Sequence, residues 1–411
     1  DRSPSRGLGD VYKRQPFRIT SFDIECAGRE GVFPDPRYDP VIQISAVQSL
    51  QGFGEDALPR NKIVFALRST APIAGADVIS FGEETDLLLA WMHFMHTFDA
   101  DLVATYNGEN FDFPYLIRRA TALGLVDFDS LGRVPTVRTH CRAKTFSSNQ
   151  TGARETYEIN LEGRLSFDVM DVIKRCEGKL SSHSLNTVSK LFLGGDTKED
   201  LHYSLISPLW NGSATDRRKV ATYCLKDSQL PARIAKKRKH CENIVEVARV
   251  SGLPVDNILH GGQTVKVKQM LLAVMMHGDG SDGSDGGGGD GGDPVRFFMP
   301  VPKTKRTCGK YDGACVLKMI RGLHRFVTVL DFASLYPTII LAYNMCYTTK
   351  LSDADRAKLS PDEYRVTPTG VAFLKATGPR GKRGIVPTIV QMCLDGCRHA
   401  RVGERRSEKG L

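Results

Sequence analysis

Two observations predict an α/β (α+β) fold. Short apolar runs of strand length alternate with stretches spaced for helices, and a tract that can bury nothing then divides the chain. Phe17–Ile24 reads as a buried strand and Val41–Val47 as its neighbour. Glu84–Phe98 places Leu, Trp, Met and Phe at helical spacing. Leu102–Tyr106 is a further short strand, a helix begins over Tyr115–Ala122, and Leu165–Met170 resumes a strand. The polar, Ser/Thr-rich stretch Arg138–Ile159 between them reads as an exposed loop or β-hairpin. Residues 184–250 read as mostly helical, broken at Asn211-Gly212, and Lys236 to Lys239 read as a solvated helix face. Gly278 to Asp293 holds only Gly, Asp and Ser, the composition of a flexible linker or surface insertion. Beyond it, Phe326–Asp331 is a β-rich run ending in a carboxylate.

The bulk composition narrows the classes. The 411 residues suffice for two or three domains, and 41% hydrophobic with 25% charged residues is ordinary for a globular protein. No apolar run reaches the ~18 residues of a membrane span. The net charge of +9 favours a polyanionic partner, most commonly nucleic acid. Ten cysteines include no CxxC pair, which argues against a zinc or iron–sulfur site. Cys224 and Cys346 lie in apolar stretches and read as buried, reduced thiols. Residues 1–15 have neither apolar periodicity nor a signal-peptide core and read as an artefact or a disordered segment. The text at Leu411 is helical with no stop signal, which reads as a truncation.

Three places carry carboxylates at informative spacing. Asp23 and Glu25, two apart on the first strand, project from one face. Two such carboxylates repel unless a cation sits between them. Asp112 follows a strand and a turn, with Pro114 fitting the first turn of the next helix. Tyr223 and Asp227, four apart, share a helix face. Singly, these read as a solvated strand end, a helix cap, and a core tyrosine beside a surface aspartate. Asp168, at another strand end, reads as structural.

Taken together, Phe22-Asp23-Ile24-Glu25, Tyr106-Asn107-Gly108-Glu109-Asn110-Phe111-Asp112 and Tyr223-Cys224-Leu225-Lys226-Asp227 resemble the DEDD-type 3′→5′ exonucleases of the tyrosine subclass. The resemblance implies a ribonuclease-H-like fold and two divalent metals, expected to be Mg2+, held by Asp23, Glu25, Asp112 and Asp227. Tyr223 would then orient the attacking water. Downstream, Asp331-Phe332-Ala333-Ser334-Leu335-Tyr336-Pro337 resembles the first catalytic motif of family B DNA polymerases, DFxSLYP. That likeness implies metal binding by Asp331, contact of the backbone from Phe332 through Ser334 to Leu335 with the incoming dNTP, and packing of Tyr336 under its sugar. Asp39–Ile44, Gly261–Val267, Tyr311–Val316 and Gly384–Pro387 are also similar to replicative family B polymerases, and Asn344–Thr349 fits the helix after the motif.

The implied organisation is an exonuclease domain over 16–250 and a connector over 251–325 bearing the 278–293 insertion. The front of an incomplete polymerase palm follows over 326–411. The family's KxxxNSxYG and YGDTDS motifs do not occur in the 411 residues, so no nucleotide incorporation is expected from this polypeptide alone. Implied partners are primer-template DNA, a single-stranded 3′ end, dNTP for the longer parent, accessory subunits and a sliding clamp, in the nucleus. The rival readings are a large-DNA-virus polymerase, a stand-alone exonuclease and a non-catalytic nucleic-acid-binding scaffold.

Overall fold

The computed structural model describes residues 16–51, 61–126, 128, 130–134, 136–148, 152–177, 180–195, 201–277, 317–378 and 381–395, with only the backbone over 144–148 and 152–156. Residues 1–15, the 278–293 tract, the 311–316 segment and the basic stretch after 398 lie outside the described residues. The chain forms two compact units, 1–250 with 254–261, and 251–253 with 262–411.

The first unit is built on a six-stranded sheet. Its elements run β1 (Arg18–Cys26), β2 (Val41–Leu50), β3 (Asn61–Leu67), β4 (Asp77–Phe81), α1 (Glu84–Phe98), β5 (Leu102–Thr105) and α2 (Asp112–Ala122). There follow β6 (Cys141–Ser148), β7 (Gly152–Ile159), β8 (Leu165–Asp168), α3 (Val169–Cys176), α4 (Leu185–Phe192), α5 (Ile206–Asn211), α6 (Ala214–Lys237), α7 (His240–Ser251) and α8 (Val255–His260). The sheet order is β4-β3-β2-β1-β5-β8. β2 is antiparallel to both its neighbours, and the remaining pairs are parallel.

Alternation along β1 sorts its side chains between two layers. Phe22, Ile24 and Cys26 enter the main core with α1 and α2. Phe22 meets Trp91 at 4.9 Å between ring centroids and Phe113 at 5.1 Å. Burying each such aromatic contributes ~2–3 kcal/mol, which makes a one-residue register slip of β1 costly. On the other face, Val47, Val64 and Ala66 pack against Ala221 and Leu225 of α6. Ser213 and Asp216 form a reciprocal capping box that starts α6 after the Asn211-Gly212 break. A buried ion pair, Arg119 to Glu84 at 2.6 Å, ties α2 to α1, and Glu84 also accepts the Val41 N–H at 2.7 Å.

Several boundaries differ from those expected. The second helix starts at Asp112, three residues before Tyr115. The strand at Leu165 ends at Asp168, because Asp168 caps α3 by accepting the Met170 N–H. The 138–159 stretch is a hairpin, β6 paired antiparallel with β7 from Cys141↔Ile159 to Ser148↔Gly152. Lys236 to Lys239 are exposed, though Arg238 pairs with Glu177 at 2.6 Å.

The second unit contains α9 (Gln263–His277), α10 (Leu335–Tyr343), α11 (Asp353–Arg356) and the short antiparallel pair β9 (Tyr364–Val366) and β10 (Ala372–Leu374). Residues 326–331 form no strand. A strand needs a partner for its N–H and C=O groups, and none of the described residues pairs with this run. The expected helix over Asn344–Thr349 is likewise displaced. Helix α10 lies earlier, within the motif, and Asn344 closes it in a left-handed conformation. The Asn344 amide then donates to the Leu374 and Lys382 carbonyls at 2.8 Å each and accepts the Gly384 N–H at 2.9 Å. Among the described residues no helix is long and apolar enough to cross a membrane.

Candidate active site

Asp23 and Glu25 occupy the face of β1 opposite the aromatic core, near the strand's C-terminal end. The ladder with β2 shifts register between Glu25 and Cys26, and a bulge there bends the strand end. One oxygen from each carboxylate and Sγ of Cys224 lie within 4.8 Å of one another. Cys224 belongs to α6, so the helix bearing Tyr223 and Asp227 crosses over this pair. Tyr223 and Asp227 are both buried, one turn apart.

Asp112 arrives from the other side of β1. Parallel pairing of β1 with β5 ends at Ser21↔Ala104, which frees the next backbone groups of that edge. The Ile24 N–H donates to Asp112 Oδ1 at 3.1 Å. The turn that delivers Asp112 is sterically specified. Asn107 has φ 64°, and a Cβ on Gly108 would lie 2.4 Å from Thr105 Cβ, so only glycine fits there. Asp168 fastens this turn by accepting the Asn107 N–H at 3.0 Å and the Glu109 N–H at 3.3 Å.

The electrostatics are those of crowded, buried acids. Burial, then the charges of Asp168 and Asp227, raises the Asp112 carboxyl well above the usual carboxylate range. Burial raises Asp168 and Glu109 to about 7 each. The Cys224 thiol is raised by burial and by the charges of Asp23 and Glu25, so it stays protonated at neutral pH. Proximity groups Cys224 with the two acids, but a protonated thiol is a poor ligand for a hard cation. We therefore count it as a hydrogen-bond donor.

The donor set fits a divalent cation. Asp23 and Glu25 bring hard oxygen donors together beside α6, and their mutual repulsion favours a cation between them. Gln43, across β2 from Glu25, is fully buried, and its Oε1 meets no hydrogen-bond donor among the described residues. A polar atom so placed suits the hydration shell of an ion.

Of the five residues expected at an exonuclease centre, Asp23 and Glu25 thus meet beside the helix that carries Tyr223 and Asp227, and Asp112 reaches the same strand through Ile24. Among the described residues, however, the group close enough to hold a metal is Asp23, Glu25 and Cys224, without Asp112 or Asp227. Asp331, Phe332, Ser334, Leu335 and Tyr336 belong to the second unit, and all five are exposed. Sequence reasoning missed Ser45, Gln43 and the hydrogen-bonding role of Cys224. The readable signal was the polar alternation Gln43, Ser45 inside the otherwise apolar run Val41–Val47.

A sheet with one antiparallel strand beside its centre, flanked by helices and carrying acids at the end of its first strand, defines a ribonuclease-H-like domain. The model for the DNA polymerase family B exonuclease domain matches residues 5–188, and that for DNA polymerase family B matches 253–403. This chain belongs to the family B DNA polymerases. It is 43% identical over 399 residues to the DNA polymerase delta catalytic subunit of Oryza sativa subsp. japonica, covering 96% of this chain and 34% of that one. The Bos taurus protein of the same name is 40% identical over 397 residues, with 96% and 34% covered. The chain therefore spans about a third of the length of the curated relatives it matches. The family B DNA polymerase of the hyperthermophilic archaeon Pyrobaculum calidifontis shares the fold. Its TM-score is 0.63 at 24% identity, covering 95% of this chain and 43% of that one.

Proposed function

We propose that this chain carries the 3′→5′ proofreading exonuclease centre and the first palm motif of a delta-type replicative DNA polymerase. The observation that carries the exonuclease reading is the meeting of Asp23 and Glu25 with helix α6 at the strand end that Asp112 grips. Asp23, Glu25, Asp112 and Asp227 would hold two divalent cations, with Mg2+ the proposed ion. When bound, the cations supply activation of a water and charge stabilisation at the leaving 3′-oxygen. Tyr223 orients the attacking water through its hydroxyl. Asp112 holds its carboxylate in place by the bond to the strand backbone. Phe33, 75% exposed and 5.6 Å from Phe111, offers an aromatic face for an unpaired base beside the acids.

In the second unit, Asp331 is proposed as a palm metal ligand, Phe332 through Leu335 as contacts to the dNTP, and Tyr336 as the residue under its sugar. Primer-template DNA is the proposed substrate. Accessory subunits, a sliding clamp and a nuclear location are part of the same proposal, which the likeness to the delta-type subunits supports. End-labelled single-stranded DNA with Mg2+ tests the exonuclease reading. Shortening from the 3′ end, stopped by EDTA and absent from Asp23→Ala/Glu25→Ala, is the expected result. Undiminished degradation by that double variant overturns it.

A further inference from the structure

Ser45 and Cys224 have no part in the reading above, yet they join the strand acids to α6. Ser45 lies on β2 directly across from Asp23 and is fully buried. Its hydroxyl donates to the Cys224 carbonyl at 2.8 Å. In return, Cys224 Sγ lies 3.1 Å from Ser45 Oγ, 3.5 Å from the Asp23 carbonyl oxygen and 3.7 Å from Asp23 Oδ2. A thiol has one proton and serves one acceptor at a time. All three acceptors belong to one cross-strand pair, so every choice ties α6 to the same place. Two residues along the strand, Gln43 sits across from Glu25 and donates from Nε2 to the Arg217 carbonyl of α6 at 3.0 Å. Each strand acid thus faces a buried side chain bonded to the helix.

We propose that Ser45 and Cys224 are positioning residues of the exonuclease centre, seating α6 on β1 so that Tyr223 and Asp227 face Asp23 and Glu25 at a fixed spacing. The inference rests on the exonuclease reading. The apolar contact beneath α6 is made by Val47, Val64, Ala66, Ala221 and Leu225. Such contact is non-directional and tolerates sliding, whereas hydrogen bonds fix distance and angle. Residues that orient metal ligands typically change metal affinity or activity ~10–100-fold when removed.

The test uses the 411-residue chain and its Cys224→Ala, Ser45→Ala and Cys224→Ser variants. Three quantities are read: the dissociation constant of Mn2+ from its free-ion paramagnetic resonance signal, single-stranded DNA affinity, and the excision rate of the bound complex. Both alanine variants are expected to weaken Mn2+ binding and slow excision ~10-fold or more with DNA affinity little changed. Cys224→Ser keeps a donor at nearly the same volume and is expected to restore both. Wild-type Mn2+ affinity in either folded alanine variant overturns the proposal, as does a Cys224→Ser variant no better than Cys224→Ala. Should Ser45→Ala fail to fold, the two Cys224 variants decide alone. If the wild-type chain excises nothing while the Mn2+ shift and its rescue persist, the exonuclease reading fails and the seat stands.

Discussion

The carboxylate of Asp112 accepts the backbone N–H of Ile24, the residue lying between Asp23 and Glu25. One acid from α2 therefore grips the strand that carries the other two, and the bond gives Asp112 a geometric role separable from its charge.

Asp112→Asn separates the two roles. The amide oxygen still accepts from Ile24, while the charge that repels Asp227 is gone. In EDTA the variant should melt no lower than wild type. A cation at 100 times its dissociation constant stabilises the folded state by about 2.7 kcal/mol, and this gain should shrink in the variant. Thermal melts with and without Mg2+, beside an excision assay, check this. A variant that melts several degrees lower in EDTA and still gains fully from Mg2+ would reverse the assignment.

Tyr223→Phe removes one hydroxyl from a buried position on α6. If that hydroxyl orients the attacking water, excision by the bound complex should slow by ~10²-fold, the usual scale for a positioned proton-handling group. Single-stranded DNA affinity should stay within about twofold on that account, because no base contact is lost. Single-turnover kinetics separate the two. Weaker binding with an unchanged rate would make Tyr223 a packing residue.

Much of this arrangement was legible because it is local. Asp23 and Glu25 share a strand face by alternation, and Tyr223 and Asp227 share a helix face by their spacing of four. Glu84–Phe98 was read to the residue because its apolar stripe and its ends agree. What could not be read depends on partners distant in sequence. Ser45 and Cys224 are 179 residues apart, and their bond exists only once α6 lies on β2. The strand read over 326–331 failed for the same reason, since β-propensity makes no strand without a neighbour to pair with. At α2, Pro114 does fall in the first turn, but Asp112 is the first helical residue rather than its cap, because its side chain is bonded to Ile24 on a strand 88 residues away.

Glu109 gives the protein a pH signature. It is buried, accepts the Ser166 hydroxyl at 2.7 Å, and burial pushes its carboxyl up from the ordinary 4.5 to about 7. The folded-state value lies above the unfolded one, so the folded chain retains a proton that the unfolded chain releases. Stability from this group is fully present below about pH 4.5 and is lost as pH rises through about 7. Asp168, raised to about 7 by its own burial, loses stability in the same direction. Glu109→Gln keeps the acceptor for Ser166 and cannot ionise. At pH 8 it should be more stable than wild type by an amount on the order of 2–3 kcal/mol, with little difference at pH 4.5. Urea melts at the two pH values check this. A variant equally stable at both would place the proton elsewhere.

The net charge of +9 should express itself as salt-sensitive DNA binding. Phosphate contacts release counterions, so affinity should fall steeply and log-linearly with salt. Single strands should bind better than blunt duplex, because a 3′ end must unpair to reach the buried acids. The β6–β7 hairpin is the element proposed to hold the strands apart. Fluorescence anisotropy with both DNAs across a salt series measures it. Equal affinity at every salt concentration would count against a single-strand channel.

Asp331 supports the last prediction. It is exposed, and among the described residues it belongs to no group of three side chains close enough to hold a metal. Nucleotide addition by two metals requires one ion at the primer 3′-hydroxyl and one on the triphosphate, each held by protein carboxylates. One aspartate gives weak, mostly hydrated Mg2+ binding. The 411-residue polypeptide contains no YGDTDS segment to supply a second palm carboxylate. It should therefore add no nucleotide to a primed template at any dNTP concentration, while still excising. A longer polypeptide that appends the corresponding segment of a relative should gain primer extension. Asp331→Ala in that polypeptide should abolish extension and leave excision of single-stranded DNA unchanged, because the acids proposed for excision, Asp23, Glu25, Asp112 and Asp227, belong to the other unit. A gel-resolved primer-extension assay run alongside the excision assay reads both activities. Robust extension by the 411-residue chain would show that Asp331 is not the metal anchor proposed for it.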